Sequence, residues 1–238
     1  GYKIPVHELF KGSLMLKHPT IAILGGLAHL VQASEKVAKA GYPILIGSRD
    51  SSRAEKMALS IAEQYPSVSL LGCSNLEAAQ KADLVVLTVP FSHQLETLKE
   101  VQPALTNKLL IDVTVPLQPP KVGTVQMPPE GSQPLERKPF GEEVQVVYAF
   151  QNVSAEHLNN SHDIDFDVLV TGNKRSARDQ VISLVEAIGM RAWHAGPLAN
   201  SLATEPLTSL LITINRHHQL DGAGIRITGS SLQDKTHS

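Results

Sequence analysis

Gly25 and Gly26 follow the apolar run Thr20-Ile-Ala-Ile-Leu24 and precede a stretch with helical spacing that begins near Ala28. Glycines between a strand and a helix let backbone amides approach a pyrophosphate at the helix N-terminus, so this turn is a candidate dinucleotide cradle. Leu27, Ala28, His29, Leu30 and Val31 stand where further glycines would complete the fingerprint, and a tight structural turn is the competing account. The next strand ends in Gly47-Ser48-Arg49, with Arg53 one helical turn later. An NAD site places Asp or Glu here for the ribose 2′-hydroxyl, whereas a 2′-phosphate takes hydroxyl and guanidinium donors. Ser48 and Arg49 therefore point to NADP(H); Asp50 lies close by and counts for the other choice.

Three further groups of residues invite a chemical reading. Thr88-Val89-Pro90-Phe91-Ser-His93 follows an apolar strand, so it lies over the nucleotide crevice; Pro90 turns the backbone across the nicotinamide region and Phe91 offers a flat apolar face. His93 fits either a pocket or a helix start facing solvent. His157, His162, Asp163, Asp165 and Asp167 have metal-ligating types, but their alternation with apolar residues reads as an approach to a strand, without the Gly turn and Glu of a calcium loop. No metal is expected. His217 and His218 suit a helix C-terminus electrostatically.

The elements that must position these residues alternate as strand, helix, strand from Thr20 onward, which builds a parallel sheet. Strands are expected at 20–24, 44–46, 68–71, 83–88, 108–113, 144–149, 167–171 and 191–195. Helices are expected at 28–40, 51–64, 176–188 and 200–218. The fold class is α/β, a Rossmann-type doubly wound, mostly parallel sheet with a C-terminal helical segment, whose ligands sit at the strands' carboxyl ends. Residues 1–19 form an N-terminal arm and 20–195 the Rossmann domain, interrupted by a proline-rich loop over 116–140. Residues 196–238 form a C-terminal helix and tail that close the cleft.

Composition removes several classes of function. The formal net charge of -2 and scattered Lys and Arg leave no basic face for nucleic acid. Residues 1–20 lack an apolar run long enough for a signal peptide or membrane span. Cys73 is the single cysteine, so no intrachain disulfide forms; these features place the chain in the cytoplasm, away from membranes.

Seven stretches, taken together, resemble one family, the NADPH-dependent reductases of coenzyme F420. They are Ile23-Leu-Gly-Gly26, Ile46-Gly-Ser-Arg49, Leu87-Thr-Val-Pro90, Asp112-Val-Thr-Val-Pro116, Ala149-Phe-Gln-Asn-Val-Ser154, Ala195-Gly-Pro-Leu-Ala-Asn-Ser201 and Gly222-Ala-Gly-Ile-Arg226. The resemblance implies an oxidoreductase that moves a hydride between NADPH and F420, or a related deazaflavin or flavin-like acceptor, both rings stacked in one cleft. Such a reaction asks for ring alignment and exclusion of water, so no catalytic side chain is expected. By the resemblance Gly25, Gly26, Leu27, Ala28, Ser48, Arg49, Arg53, Thr88, Val89, Pro90, Phe91, Ala149 and Asn152 hold NADP(H). Gln151, Pro197, Leu198, Asn200 and Leu207 face the acceptor, and the segment from Gly196 onward contributes a homodimer contact.

The chain departs from the family pattern in three places. The Gly-Gly-Thr-Gly loop has become Gly25-Gly-Leu-Ala and is one residue short, Gln151 replaces a His, and Leu202 replaces an Arg. A weakened NADP(H)-binding sensor or scaffold, or a reductase of another small molecule, are the alternative readings. The altered loop leads us to expect weak NADPH binding and slow F420 reduction, both improved by restoring Gly-Gly-Thr-Gly at family length. Calorimetry and steady-state rates on the two proteins check this; tight wild-type binding that the restored loop leaves unchanged would show another way of holding the phosphates.

Overall fold

The computed structural model describes residues 18–25, 36–117, 120–125, 143–153 and 166–229. Among these, eight strands run in chain order as β1 (Ile21–Leu24), β2 (Ile44–Ser48), β3 (Leu70–Ser74), β4 (Leu84–Leu87), β5 (Leu109–Asp112), β6 (Gln145–Tyr148), β7 (Asp167–Gly172) and β8 (Arg191–His194). They form one sheet of order β3-β2-β1-β4-β5-β6-β7-β8. Every neighbouring pair is parallel except β6 and β7, so the last two strands run opposite to the first six. The order reverses beside β1: β2 lies on one side and β4 on the other. That switch point is where a doubly wound sheet opens a ligand crevice.

The helices are α1 (Ser51–Gln64), α2 (Asn75–Lys81), α3 (Phe91–Val101), α4 (Arg175–Ala187), α5 (Ser201–Thr204) and α6 (Leu207–His218). Alternation along the strands divides the core between the two sheet faces. Ile21, Ile23, Ile44 and Ile46 pack with Ala54, Ala58 and Ile61 of α1 and with Ala177, Val181 and Leu184 of α4. Ala22, Leu24 and Leu45 pack on the other face with Ala78 and Ala79 of α2 and Leu98 and Val101 of α3. The i, i+4, i+7 spacing of Ala54, Ala58 and Ile61 brings α1 close to the sheet.

Helices α2 and α3 go beyond the sequence reading. The first is a seven-residue helix, too short to show periodicity. The second buries Gln94 and Thr97 beside Leu98 and Val101, so polar residues interrupt its apolar stripe. The single helix expected over 200–218 is broken instead: α5 ends at Thr204, and Glu205 and Pro206 turn the chain before α6. Proline lacks the N–H that would continue the ladder. Of the helix expected over 28–40, the described residues show helix at 36–39. Within the expected long loop, residues 120–125 dock on α6, where Thr213 Oγ1 donates to the Gly123 carbonyl at 2.5 Å.

Past α6 the chain returns to the sheet at the start of β7. Asp167 N donates to the Ile225 carbonyl at 2.7 Å. The buried Asp167 carboxylate accepts from Arg191 Nε and Trp193 Nε1, both at 2.8 Å, and from Ile227 N at 2.7 Å. Burial pushes this carboxyl up, yet the Ile227 amide, Arg191 and Trp193 outweigh it and hold it below its usual value. Of the five metal-ligating types singled out in the sequence, Asp167 alone lies within the described residues, and it ties β7, β8 and the C-terminal segment together.

Gly72 of β3 marks the tightest helix-to-sheet approach: a Cβ there would lie 2.2 Å from the Ala54 backbone of α1. Gly72→Ala is expected to destabilise the protein by at least about 1–3 kcal/mol, because helix and strand must separate. Urea unfolding of the two proteins measures it; equal midpoints would show that α1 adjusts without cost.

Candidate functional site

At the carboxyl ends of β1, β2 and β4 lies a cleft of ≈ 320 Å³, walled by Gly25, Ser48, Arg49, Arg53, Val89 and Pro90. Its depth comes from the turn after β1. Gly25 has φ +130° and its backbone passes Thr88 so closely that a Cβ would meet Thr88 Oγ1 at 2.8 Å. Any other residue would be both strained and blocked. Thr88 is itself tied to β1, its amide and its Oγ1 both donating to the Leu24 carbonyl, at 2.9 and 2.6 Å. Gly26, Leu27 and Ala28 lie outside the described residues.

On the β2 side, Ser48 is buried and Arg49 exposed. The Ser48 Oγ accepts from the Asp50 amide at 3.2 Å, which leaves its hydroxyl hydrogen free to face the cleft. Asp50, the carboxylate that an NAD site would use, is committed elsewhere. It is the N-cap of α1, where Oδ1 accepts from Ser52 N at 3.0 Å, Ser52 Oγ at 2.7 Å and Arg53 N at 3.3 Å. The Ser52 hydroxyl and the Arg53 amide hold it below its usual value, so it stays a bound anion at the helix start. Asp50 thus lines the cleft with one oxygen engaged at the helix start, between the two cationic side chains Arg49 and Arg53.

Sequence reasoning missed Asn75, Glu96 and Thr97. Asn75 and Thr97 also line the cleft. Asn75 is buried, its Nδ2 donates to Glu100 at 3.0 Å, and its Oδ1 has no partner among the described residues. Glu96 faces Arg49 from α3 with 3.6 Å between charged atoms, and His93 at the same distance. All three side chains are exposed, so these pairs contribute little to stability. His93 combines the two roles weighed for it, since it sits in the first turn of α3 and lines the cleft. Phe91 starts α3 and is 40% exposed.

Ala149 and Asn152, expected to hold NADP(H), and the residues expected on the acceptor side do not line that cleft. Ala149 is fully buried, and Asn152 Nδ2 donates to the Asp167 carbonyl at 2.7 Å. Gln151 Nε2 donates to the Asp112 carbonyl at 2.8 Å, while its own carbonyl accepts from Thr208 Oγ1 at 2.5 Å. Leu198 is buried and its amide donates to Asn173 at 3.0 Å; Asn200 Nδ2 donates to the Ala195 carbonyl at 2.7 Å. Pro197 precedes this turn and Leu207 opens α6. Beside them are two carboxyls that the sequence reading did not single out as site residues, Asp112 and Glu205. Burial pushes Asp112 up to about 6 although Thr114, Gln94 and Tyr148 all bond to it. Burial also pushes Glu205 up to about 7, opposed by the Ser201 hydroxyl and reinforced by the charge of Asp112. Cys73, by contrast, is an inert thiol, pushed up to about 11 by burial and by Glu77. Among the described residues no group of three His, Cys, Asp or Glu is arranged to hold a metal ion.

The chain is similar to known proteins over nearly its whole length. Residues 20–116 match the family model described as NADP oxidoreductase, coenzyme F420-dependent. The F420-dependent NADP reductase of Methanothermobacter thermautotrophicus is 36% identical over 224 residues, covering 90% of this chain and 97% of that relative. That of Methanocaldococcus jannaschii is 34% identical, covering 89% and 99%. Among solved structures, a putative F420-dependent NADP-reductase from Arthrobacter sp. FB24 superposes with a TM-score of 0.70 at 22% identity, covering 89% of this chain and 100% of that one. An imine reductase from Myxococcus stipitatus shares the fold, with a TM-score of 0.59 at 14% identity over 85% of this chain and 62% of its own.

The two raised carboxyls make stability depend on pH in a definite sense. Unfolded Asp and Glu titrate at about 3.9 and 4.3, so between there and neutrality the folded chain binds more protons than the unfolded one. Their contribution therefore declines as pH rises from about 4 to about 7 and levels off above. Glu205→Gln is expected to unfold at a higher temperature than wild type on the alkaline side of neutrality, by on the order of 3 kcal/mol, and at a similar temperature in mild acid. Thermal melts across pH check it; parallel curves for the two proteins would rule the effect out.

Proposed function

Because the chain belongs to the family of F420-dependent NADP reductases, we propose that its cleft brings NADPH and coenzyme F420 together for hydride transfer. It is an oxidoreductase of NADP(H) and F420. The observation that carries the nucleotide choice is the fate of Asp50: it lines the cleft, but its Oδ1 caps α1, and Ser48, Arg49 and Arg53 are the donors offered at the end of β2. Hydroxyl and guanidinium donors suit a 2′-phosphate. Gly25, Asn75 and Thr97 line the remainder of the cleft, where the rest of a dinucleotide would lie.

In this reading Ser48, Arg49 and Arg53 hold the 2′-phosphate, and the turn from Gly25 through Gly26, Leu27 and Ala28 holds the pyrophosphate. Thr88, Val89, Pro90 and Phe91 carry the nicotinamide half across β4, and Ala149 and Asn152 shape the backbone beneath it. NADPH supplies the hydride. Gln151, Pro197, Leu198, Asn200 and Leu207 bound the acceptor side and keep water from the two rings. Residues 20–195 act as the nucleotide domain, and 196–238 close the cleft. Leu210 and Ile214, one helical turn apart on α6 and 50% and 41% exposed, supply the apolar stripe of a homodimer contact. The protein works in the cytoplasm; no helix among the described residues is long and apolar enough to cross a membrane.

NADPH oxidation by the pure protein should depend on added F420; binding without turnover would favour a sensor. Arg49→Ala should lose a charge-assisted bond worth about 1.5–3 kcal/mol, which lowers NADPH affinity roughly 10- to 150-fold and leaves NADH affinity little changed. Equal losses for the two nucleotides, measured by calorimetry, would refute the 2′-phosphate assignment.

A further inference from the structure

One ion pair crosses the mouth of the nucleotide cleft, and its acidic member has no place in holding a dinucleotide. Arg49 leaves the end of β2, whereas Glu96 stands in the second turn of α3, which follows β4. In the sheet β2 and β4 flank β1 on opposite sides, so two strand spacings, about 10 Å, separate the strands that carry the two residues. Long side chains close that distance. Arg49 Nη1 and Glu96 Oε2 meet at 3.6 Å, and the two side chains are 60% and 68% exposed. His93, one turn earlier on α3, brings its Nδ1 to 3.6 Å from the same Glu96 oxygen. Arg49 and His93 both line the cleft, so the pair lies at its rim and not on a remote surface.

A guanidinium takes a carboxylate or a phosphate through the same N–H groups. Glu96 therefore engages, in the free protein, the cation that a 2′-phosphate would use, and its own charge repels that phosphate as it arrives. We propose that Glu96 is a specificity-determining residue: it holds Arg49 across the cleft mouth, gives it up when NADPH binds, and so lowers the affinity for NADPH while leaving that for NADH alone. This rests on the 2′-phosphate reading of Arg49 above and adds to it a competitor on the opposite wall. NADH carries no 2′-phosphate, so Arg49 stays with Glu96 when it binds. The preference between the two nucleotides is then smaller than Arg49 by itself would set.

The exchange is an easy one. Exposure to solvent keeps the Arg49–Glu96 pair weak, whereas a phosphate brings more charge and several acceptor oxygens to the same guanidinium. After Arg49 turns away, the carboxylate keeps His93 as a polar neighbour on its own helix, so no backbone has to move. Glu96 also differs from Asp50, whose Oδ1 caps α1. Glu96 caps no helix among the described residues, and its side chain can be changed without undoing a helix start.

Calorimetric titration of the full chain with NADPH and with NADH tests this on wild type, Glu96→Gln, Arg49→Ala and the double variant. Glu96→Gln should tighten NADPH binding roughly two- to five-fold, the scale of an exposed ion pair, with NADH binding and the thermal midpoint unmoved. In the Arg49→Ala background the same substitution should bring a smaller gain, because the two residues act on one contact. Unchanged or weaker NADPH binding in Glu96→Gln overturns the proposal, as does an equal tightening of both nucleotides. An equal gain with and without Arg49 overturns it too, since it would show repulsion at a distance and no competition for the guanidinium. Weaker NADH binding in Glu96→Gln would make this carboxylate an acceptor for a ribose hydroxyl and refute the competition. Equal losses of NADPH and NADH in Arg49→Ala refute the 2′-phosphate reading itself. A loss confined to NADPH in Arg49→Ala, with no gain in Glu96→Gln, leaves that reading standing and refutes the role of Glu96.

Discussion

The Leu24 carbonyl accepts twice from Thr88, once from its amide and once from its hydroxyl. This contact joins the first strand to the fourth at the point where the sheet reverses its order, and the cleft opens above it. Leu24 pairs in register with Gly47 on one side and Leu87 on the other. The chain therefore leaves all three strands at the same height. Gly25, Ser48 and Pro90 can line one cleft because of that shared height, although they lie far apart in sequence. The absence of a side chain at Gly25 is part of the same constraint, since Thr88 occupies the space a Cβ would need.

Away from the cleft, the sheet is held by polar contacts placed where apolar packing gives out. Asp167 illustrates the ordinary solution: a buried carboxylate whose desolvation is outweighed by an arginine, an indole N–H and a backbone amide. It binds Ile227 to β7 and so fixes the segment after α6 against the sheet. Asp112 illustrates the opposite balance. Three side chains and a backbone amide surround it without a cation, and burial prevails. The first arrangement stabilises a charged group and serves the fold. The second leaves burial in control and raises the carboxyl to about 6.

The proposed discrimination between the two nicotinamide nucleotides turns on a local conflict over one carboxylate. An acidic residue near the end of β2 is available to a ribose unless some stronger claim is made on it. The amides at the start of α1 make that claim on Asp50, and the helix dipole reinforces it. Arg49 and Arg53 are then the charges that define the rim, and the partner of Arg49 across the cleft, Glu96, is solvent-exposed and weakly held.

Much of this was legible in the sequence. Short β-rich apolar runs separated by breakers specify buried parallel strands by themselves, because period and composition are local properties. The residue types at Gly47-Ser48-Arg49 express a ligand preference at any strand end that opens on a crevice. The helices α2 and α3 were not legible, one because it is short and the other because Gln94 is buried against Asp112 of β5 and Thr97 on the cleft wall. Nor was the break at Pro206, whose location matters through what it brings to Gln151. Asp112 and Glu205 are 93 positions apart, and nothing in either neighbourhood announces the other. Sequence determined the strands and the chemical character of the rim at the end of β2. Only the tertiary structure decided that Asp50 would be spent on a helix cap and that the carboxyls of Asp112 and Glu205 would be buried. Charge interaction and desolvation depend on distance and burial, which the order of residues along the chain does not contain.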